Sequence, residues 1–116
     1  MLALGGGAVA AGLLPATATA GAPHAAAGIL FFDSGSPTAR ARARQARGQR
    51  LIALTGDPVR LWRDNVDRQE KAISGITRWS DYLLLRELAA EQGLRVRREE
   101  QLRIPGRPML VDWAAA

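Results

Sequence analysis

From Gly28 onward the apolar residues fall into short runs, each closed by a cluster of turn-forming residues, and the spacing within each run separates strands from helices. Ile29-Leu30-Phe31-Phe32 is apolar at every position, the pattern of a strand covered on both faces. It ends in Asp33-Ser34-Gly35-Ser36-Pro37, where Ser36 suits a helix N-cap and Pro37 the first helical position. Ala39, Ala43 and Ala46 then recur at i, i+4 and i+7, which predicts a helix from about Pro37 to Arg47 with a small-residue face that can lie close to a sheet. Gly48 closes it, and Leu51-Ile52-Ala53-Leu54 reads as a second buried strand.

The same grammar repeats downstream. Thr55-Gly56-Asp57-Pro58 places Asp57 as N-cap and Pro58 at the first helical position, and Val59, Trp62 and Val66 form the apolar stripe of a second helix. A short strand about Ala72 to Ile76 follows. Thr77 to Ser80 then open the longest helix, with Leu84, Leu85, Leu88 and Ala89 facing inward and Gly93 as its stop. Leu94 to Leu102 predicts a fourth strand whose five charged residues mark it as a sheet edge, since charge on an edge discourages pairing between molecules. Ile104-Pro105-Gly106-Arg107 is a turn too short for a crossover helix, so the last strand, Met109 to Trp113, is expected antiparallel to the fourth. Strands alternating with helices imply right-handed crossovers. The expected fold is a small three-layer α/β domain of Rossmann-like or flavodoxin-like type, with a mostly parallel sheet of 4–5 strands and a C-terminal hairpin.

Ahead of this domain the pattern changes. Leu2 to Leu14 is an apolar run of Leu, Ala, Val and Gly, stopped by Pro15 and followed by Ala16-Thr17-Ala18-Thr19-Ala20, two overlapping small-x-small cleavage patterns. Those are the hydrophobic and cleavage regions of a secretory leader. The expected organisation is therefore a signal peptide over 1–20, a linker over 21–28 and one domain over 29–116. The run is shorter than the roughly 20 apolar residues of a bilayer-spanning helix, which makes an uncleaved anchor the second reading and a place inside the fold the third. The basic residues that normally open such a leader are missing from Met1-Leu2-Ala3-Leu4, as though a late start had removed them.

Composition narrows the chemistry. All 16 basic residues lie between Arg40 and Arg107, and 15 of them are Arg, a bias that with the many Ala and Gly residues matches a GC-rich coding sequence. The net charge of +5 thus argues for solubility and loose association before it argues for a nucleic-acid partner. Arg40, Arg42, Arg44, Arg47 and Arg50 resemble a nucleic-acid stripe, yet no aromatic residue is interleaved for base stacking. The absence of Cys excludes disulfides, thiolate metal sites and thiol nucleophiles, and the single His24 excludes a multi-histidine metal site.

In open α/β sheets ligands bind beyond the carboxyl ends of the strands. That rule singles out Asp33, Ser34, Asp57, Gly75, Thr77 and Arg78 as candidate ligand-binding residues. Gly75-Ile76-Thr77-Arg78 combines a Gly, a hydroxyl, a helix N-terminus and a guanidinium, which together could hold a carboxylate or phosphate. Asp33 and Asp57 could face one another as a Mg²⁺ or acid/base pair, although Asp57 is already accounted for as a cap. Ser34 and Ser36 lack a His or Lys base. No G-x-G-x-x-G or G-x-x-x-x-G-K-[ST] follows any strand, so no nucleotide cofactor is expected.

The segments Leu51-Ile52-Ala53-Leu54-Thr55-Gly56-Asp57-Pro58-Val59-Arg60-Leu61-Trp62, Ile73-Ser74-Gly75-Ile76-Thr77, Leu83-Leu84-Leu85-Arg86-Glu87-Leu88-Ala89 and Leu110-Val111-Asp112-Trp113 carry a resemblance. The chain resembles an uncharacterised family of small exported bacterial proteins with twin-arginine-type signal sequences. The resemblance spans about Gly28 to Trp113 and implies export and an α/β fold, but no activity or functional residue. The missing Arg pair is its main departure. The expectation is an exported, noncatalytic periplasmic accessory or binding protein, whose partner is another protein or a small anionic ligand. A small enzyme or anion-binding domain acting at the strand carboxyl ends is the alternative, and a nucleic-acid module the third.

Overall fold

The computed structural model describes residues 28–116; the expected leader and all but the last residue of the linker lie outside them. The elements follow in the order β1 (Ile29–Asp33), α1 (Pro37–Arg44), β2 (Arg50–Leu54), α2 (Pro58–Asn65), β3 (Ile73–Arg78), α3 (Trp79–Glu91), β4 (Val96–Leu102) and β5 (Leu110–Ala115). They build a mixed α/β domain around one five-stranded sheet of order β2-β1-β3-β5-β4. β1 pairs parallel with β2 and β3, and β5 pairs antiparallel with β3 and β4. Four strands therefore point the same way and β5 alone opposes them. Because β5 sits between β3 and β4, half of the strand pairings are antiparallel, so the sheet is more mixed than strand-helix alternation by itself suggests.

The chain steps from β1 outward to β2, then back across β1 to β3. Right-handed crossovers in opposite directions place their helices on opposite faces, and the core has two matching parts. Ala39 and Ala43 of α1 pack with Leu30, Ile76 and Leu110 on one face. On the other, Trp62 of α2 and Tyr82, Leu85 and Ala89 of α3 pack with Ile29, Phe31, Ile73, Val111 and Trp113. Trp62 lies stacked on Phe31 with ring centroids 6.0 Å apart.

Local chemistry sets the boundaries. Ser36 Oγ accepts the Ala39 N–H and an Asp57 carboxylate oxygen accepts the Val59 N–H, so both expected N-caps are present. α1 stops at Arg44, short of Arg47, because the N–H groups of Gln45 and Ala46 turn to carbonyls three residues back and tighten the last turn. β3 runs on through Thr77 and Arg78, and α3 begins only at Trp79. In α3 the inward stripe is Tyr82, Leu85 and Ala89; Leu84, expected inside, is 44% exposed because it lies about 100° around the helix from Leu85. β4 forms an edge, as its charges imply, and carries an irregular register between Val96 and Arg98.

Gly75 has a different task from the one expected of it. The β3–β5 register sets it opposite Trp113, whose indole covers it so closely that a Cβ there would lie 2.5 Å from Nε1. Trp113 Nε1 donates to Thr77 Oγ1 at 3.2 Å, and its ring meets Tyr82 at 5.5 Å. Gly75 and Thr77 thus form the socket of the largest fully buried side chain.

Candidate functional site

The chain leaves β1 for α1 on one face and leaves β3 for α3 on the other. This divergence makes the carboxyl ends of β1 and β3 the topological switch point of the sheet, where open α/β folds form their ligand crevice. Asp33 ends β1 and Arg78 ends β3, so the sequence delivers a carboxylate and a guanidinium to its two lips.

Arg78 Nε lies 3.9 Å from Asp33 Oδ2 and 4.0 Å from Asp81 Oδ2, between two carboxylates at the outer limit of ion pairing. The Arg78 side chain is half exposed, so these contacts hold it only loosely. Asp33 Oδ1 accepts the Gly35 N–H at 3.1 Å, which fixes the carboxylate in the β1–α1 turn. Arg40 closes the same turn by donating to the Ser34 carbonyl at 2.7 Å. Trp79, the first residue of α3 and next in sequence to Arg78, is 39% exposed, and its ring meets Tyr82 at 5.5 Å.

The helix ends differ in a way that bears on chemistry. α1 and α2 have side-chain caps, whereas the N-cap position of α3 is Arg78, which supplies no capping acceptor. First-turn N–H groups without a side-chain acceptor favour an anion, and Asp81 in that turn meets the dipole in part. Burial nevertheless pushes the Asp81 carboxyl above the usual carboxylate range. Arg78 works against this shift and the Asp33 charge adds to it.

The sign of that shift gives a prediction. A carboxyl whose folded pKa is raised binds its proton more tightly in the folded state, so ionising it lowers stability as pH climbs from about 3.8 through the raised value. Above that window the whole penalty persists. Asp81→Asn, which cannot ionise, is therefore expected to melt at a higher temperature than the wild type near pH 7, with the gain disappearing below pH 3.8. Thermal melts at the two pH values check this, and a lower melting temperature at pH 7 would show that Arg78 and the helix end outweigh burial.

Of the six residues singled out in the sequence, the structure brings Asp33 and Arg78 together. Ser34 stands beside them, but its hydroxyl donates to the Leu54 carbonyl at 3.0 Å and ties the β1–α1 turn to the end of β2. Asp57 is the cap of α2. Gly75 and Thr77 lie beneath Trp113, inside β3. Asp81 escaped the sequence reading, although an acidic residue two positions into a helix is its signal. The buried Asp112, held by Arg42 and Arg98, was also missed, and its signal is a lone charge inside the apolar run Leu110 to Trp113.

The β4–β5 turn leaves the sheet at this same end, because Leu110 pairs with both Arg78 and Leu102. It carries Arg103 and Arg107 around a shallow depression of about 320 Å³, lined also by Ile104, Pro105 and Met109. Among the described residues no group of three or more His, Cys, Asp or Glu is placed to hold a metal ion. No helix of the described residues is long and apolar enough to cross a membrane. Comparison with protein-family models, curated proteins and solved structures finds no match to this chain.

Proposed function

We propose that the chain is an exported, noncatalytic binding protein of Rossmann-like architecture that takes a small ligand or a partner's polar group in the crevice between β1 and β3. The observation that carries this reading is the loosely held Arg78 at the switch point, flanked by Asp33 and Asp81. The guanidinium and the N-terminal N–H groups of α3 suit a carboxylate or phosphate. The two carboxylates suit a donor group on the same ligand. The Ser34 hydroxyl donates to a backbone carbonyl and has no His or Lys base, which favours binding over nucleophilic catalysis.

The leader-like segment supports export, with the domain in the periplasm or outside the cell. N-terminal sequencing of the processed protein is expected to begin after Ala18 or Ala20. For the site, a panel of phosphorylated and carboxylated metabolites is screened by melting temperature, since a ligand that binds only the folded state raises it. Arg78→Ala is expected to weaken a hit at least tenfold, and Asp57→Asn to leave it unchanged. Equal binding by the wild type and Arg78→Ala, or no shift across the panel, sinks the reading.

A second reading rests on the raised Asp81 carboxyl. Together with Asp33 it could act as a proton donor and acceptor pair, making the crevice a small enzyme site. Turnover of a bound ligand that Asp81→Asn abolishes without weakening binding would favour this over simple binding.

A further inference from the structure

The two edges of the sheet are unlike. β4 reads Val-Arg-Arg-Glu-Glu-Gln-Leu and has an irregular register, two devices that keep an edge from pairing with another chain. β2 reads Arg-Leu-Ile-Ala-Leu, pairs with β1 through five residues without a break, and contains no Pro, no Lys and no bulge. Leu51 on this edge is 41% exposed.

The free hydrogen-bonding groups of β2 follow from its register. Arg50 donates its backbone N–H to Gly28 O, so Arg50, Ile52 and Leu54 turn their peptide groups toward β1. By alternation the N–H and C=O of Leu51 and Ala53 point away from the sheet, and among the described residues no strand pairs with that side. One added strand would satisfy all four groups.

The charge around this edge selects its occupant. From Pro37 to Asn65, the stretch that contains β2 and the helices before and after it, there are seven arginines against Asp57 and Asp64; Arg42 is held by Asp112 of β5 and Arg60 by Asp64, which leaves five arginines against Asp57. From Val66 to Ala116 the chain is nearly balanced, with nine basic and eight acidic residues. Arg44, Arg47 and Arg50 are exposed on the approach to β2, and Arg60 and Arg63 are exposed on the helix that follows it. The excess is concentrated in the segments that lead into and out of β2, so coding bias toward Arg across the whole chain does not account for it. A second copy would bring the same positive charge to the edge and be repelled.

We propose that β2 is a docking strand that takes up an extended acidic segment of a partner protein by strand addition, with apolar side chains against Leu51 and acidic ones toward the arginines. This surface lies beyond the β1–β3 crevice and does not depend on the reading given for it.

The probe is a labelled peptide of four Glu-Val repeats, with an oligo-glutamate of equal charge and a peptide of four Lys-Val repeats as controls. Binding is read by fluorescence anisotropy, and the location by the amide resonances of Leu51 and Ala53. The Glu-Val peptide is expected to bind and shift those two amides. Oligo-glutamate should bind at least tenfold more weakly, and the Lys-Val peptide should not bind. Leu51→Pro removes an outward N–H without breaking a bond to β1 and is expected to weaken binding at least tenfold. Leu51→Lys, which keeps the backbone intact, serves if the proline variant does not fold, and is expected to lose the apolar contact. Absence of binding, equal binding of oligo-glutamate, or unchanged binding in the Leu51 variants overturns the proposal. Concentration-dependent dimerisation that Leu51→Lys abolishes would overturn it in favour of a second copy.

Discussion

Gly75→Ala is expected to cost about 3 kcal/mol or more, at or above the upper end of ordinary overpacking. The new Cβ would sit 2.5 Å from Trp113 Nε1 and 2.6 Å from Cε2, so one partner must move. Neither moves easily. Trp113 is fully buried, its Nε1 is tied to Thr77 and its ring is wedged against Tyr82, while Gly75 is fixed by β1 on one side and β5 on the other. A domain of this size has only about 5–10 kcal/mol of total stability, so the variant should unfold at markedly lower urea concentration. Trp113→Phe is itself destabilising, because it removes buried area and leaves Thr77 without its donor. The double variant should nevertheless be more stable than the sum of the two losses, since the smaller ring makes room for the methyl group. Urea denaturation followed by circular dichroism measures the cycle; additive losses would mean that the ring is not what excludes the side chain.

The same pair explains what could and could not be read in advance. A Gly near a hydroxyl and an arginine at a strand end has the composition of an anion-binding turn, and how far the strand runs decides between that and a socket. The strand runs two residues farther than its apolar pattern, which moves Thr77 from the expected helix start into the sheet, on the same face as Gly75. Only the β3–β5 register reveals the indole opposite them. Register between strands almost 40 residues apart is tertiary information, and no local propensity encodes it. What local rules do encode was legible: the Ser36 and Asp57 caps, the proline starts, the charged edge of β4 and the hairpin that closes the fold. Asp33 and Arg78 were legible for the same reason, because the carboxyl ends of central strands are marked by where the apolar runs stop. Asp81 was not, since its raised carboxyl depends on burial at the end of α3 and on the approach of Asp33 from another strand.

Asp112→Ala is expected to destabilise the fold by about 3 kcal/mol, the low end of the range for removing one partner of a buried ion pair. Asp112 stands inside β5 with a side chain 2% exposed, accepting from Arg42 of α1 at 2.7 Å and from Arg98 of β4 at 2.6 Å. The two arginines are 41% and 31% exposed, so on losing the carboxylate they turn partly into water, which keeps the cost from reaching the upper end. Arg42→Met should cost less, roughly 1 kcal/mol, because Arg98 still neutralises the buried charge. Replacing all three groups, by Asp112→Leu with Arg42→Met and Arg98→Met, should recover most of the stability lost in Asp112→Ala, since no charge then remains to be desolvated. Salt separates this cluster from the exposed Arg60–Asp64 pair: the Asp112→Ala deficit should persist in about 1 M NaCl, where screening erases surface contacts. A deficit that vanishes in salt, or a triple variant as unstable as Asp112→Ala, would mean that shape and not charge makes Asp112 matter. If the deficit persists and the triple variant recovers, the cluster ties the first helix through β5, 70 residues on, to the edge strand β4, holding β4 in register where its own pairing is irregular.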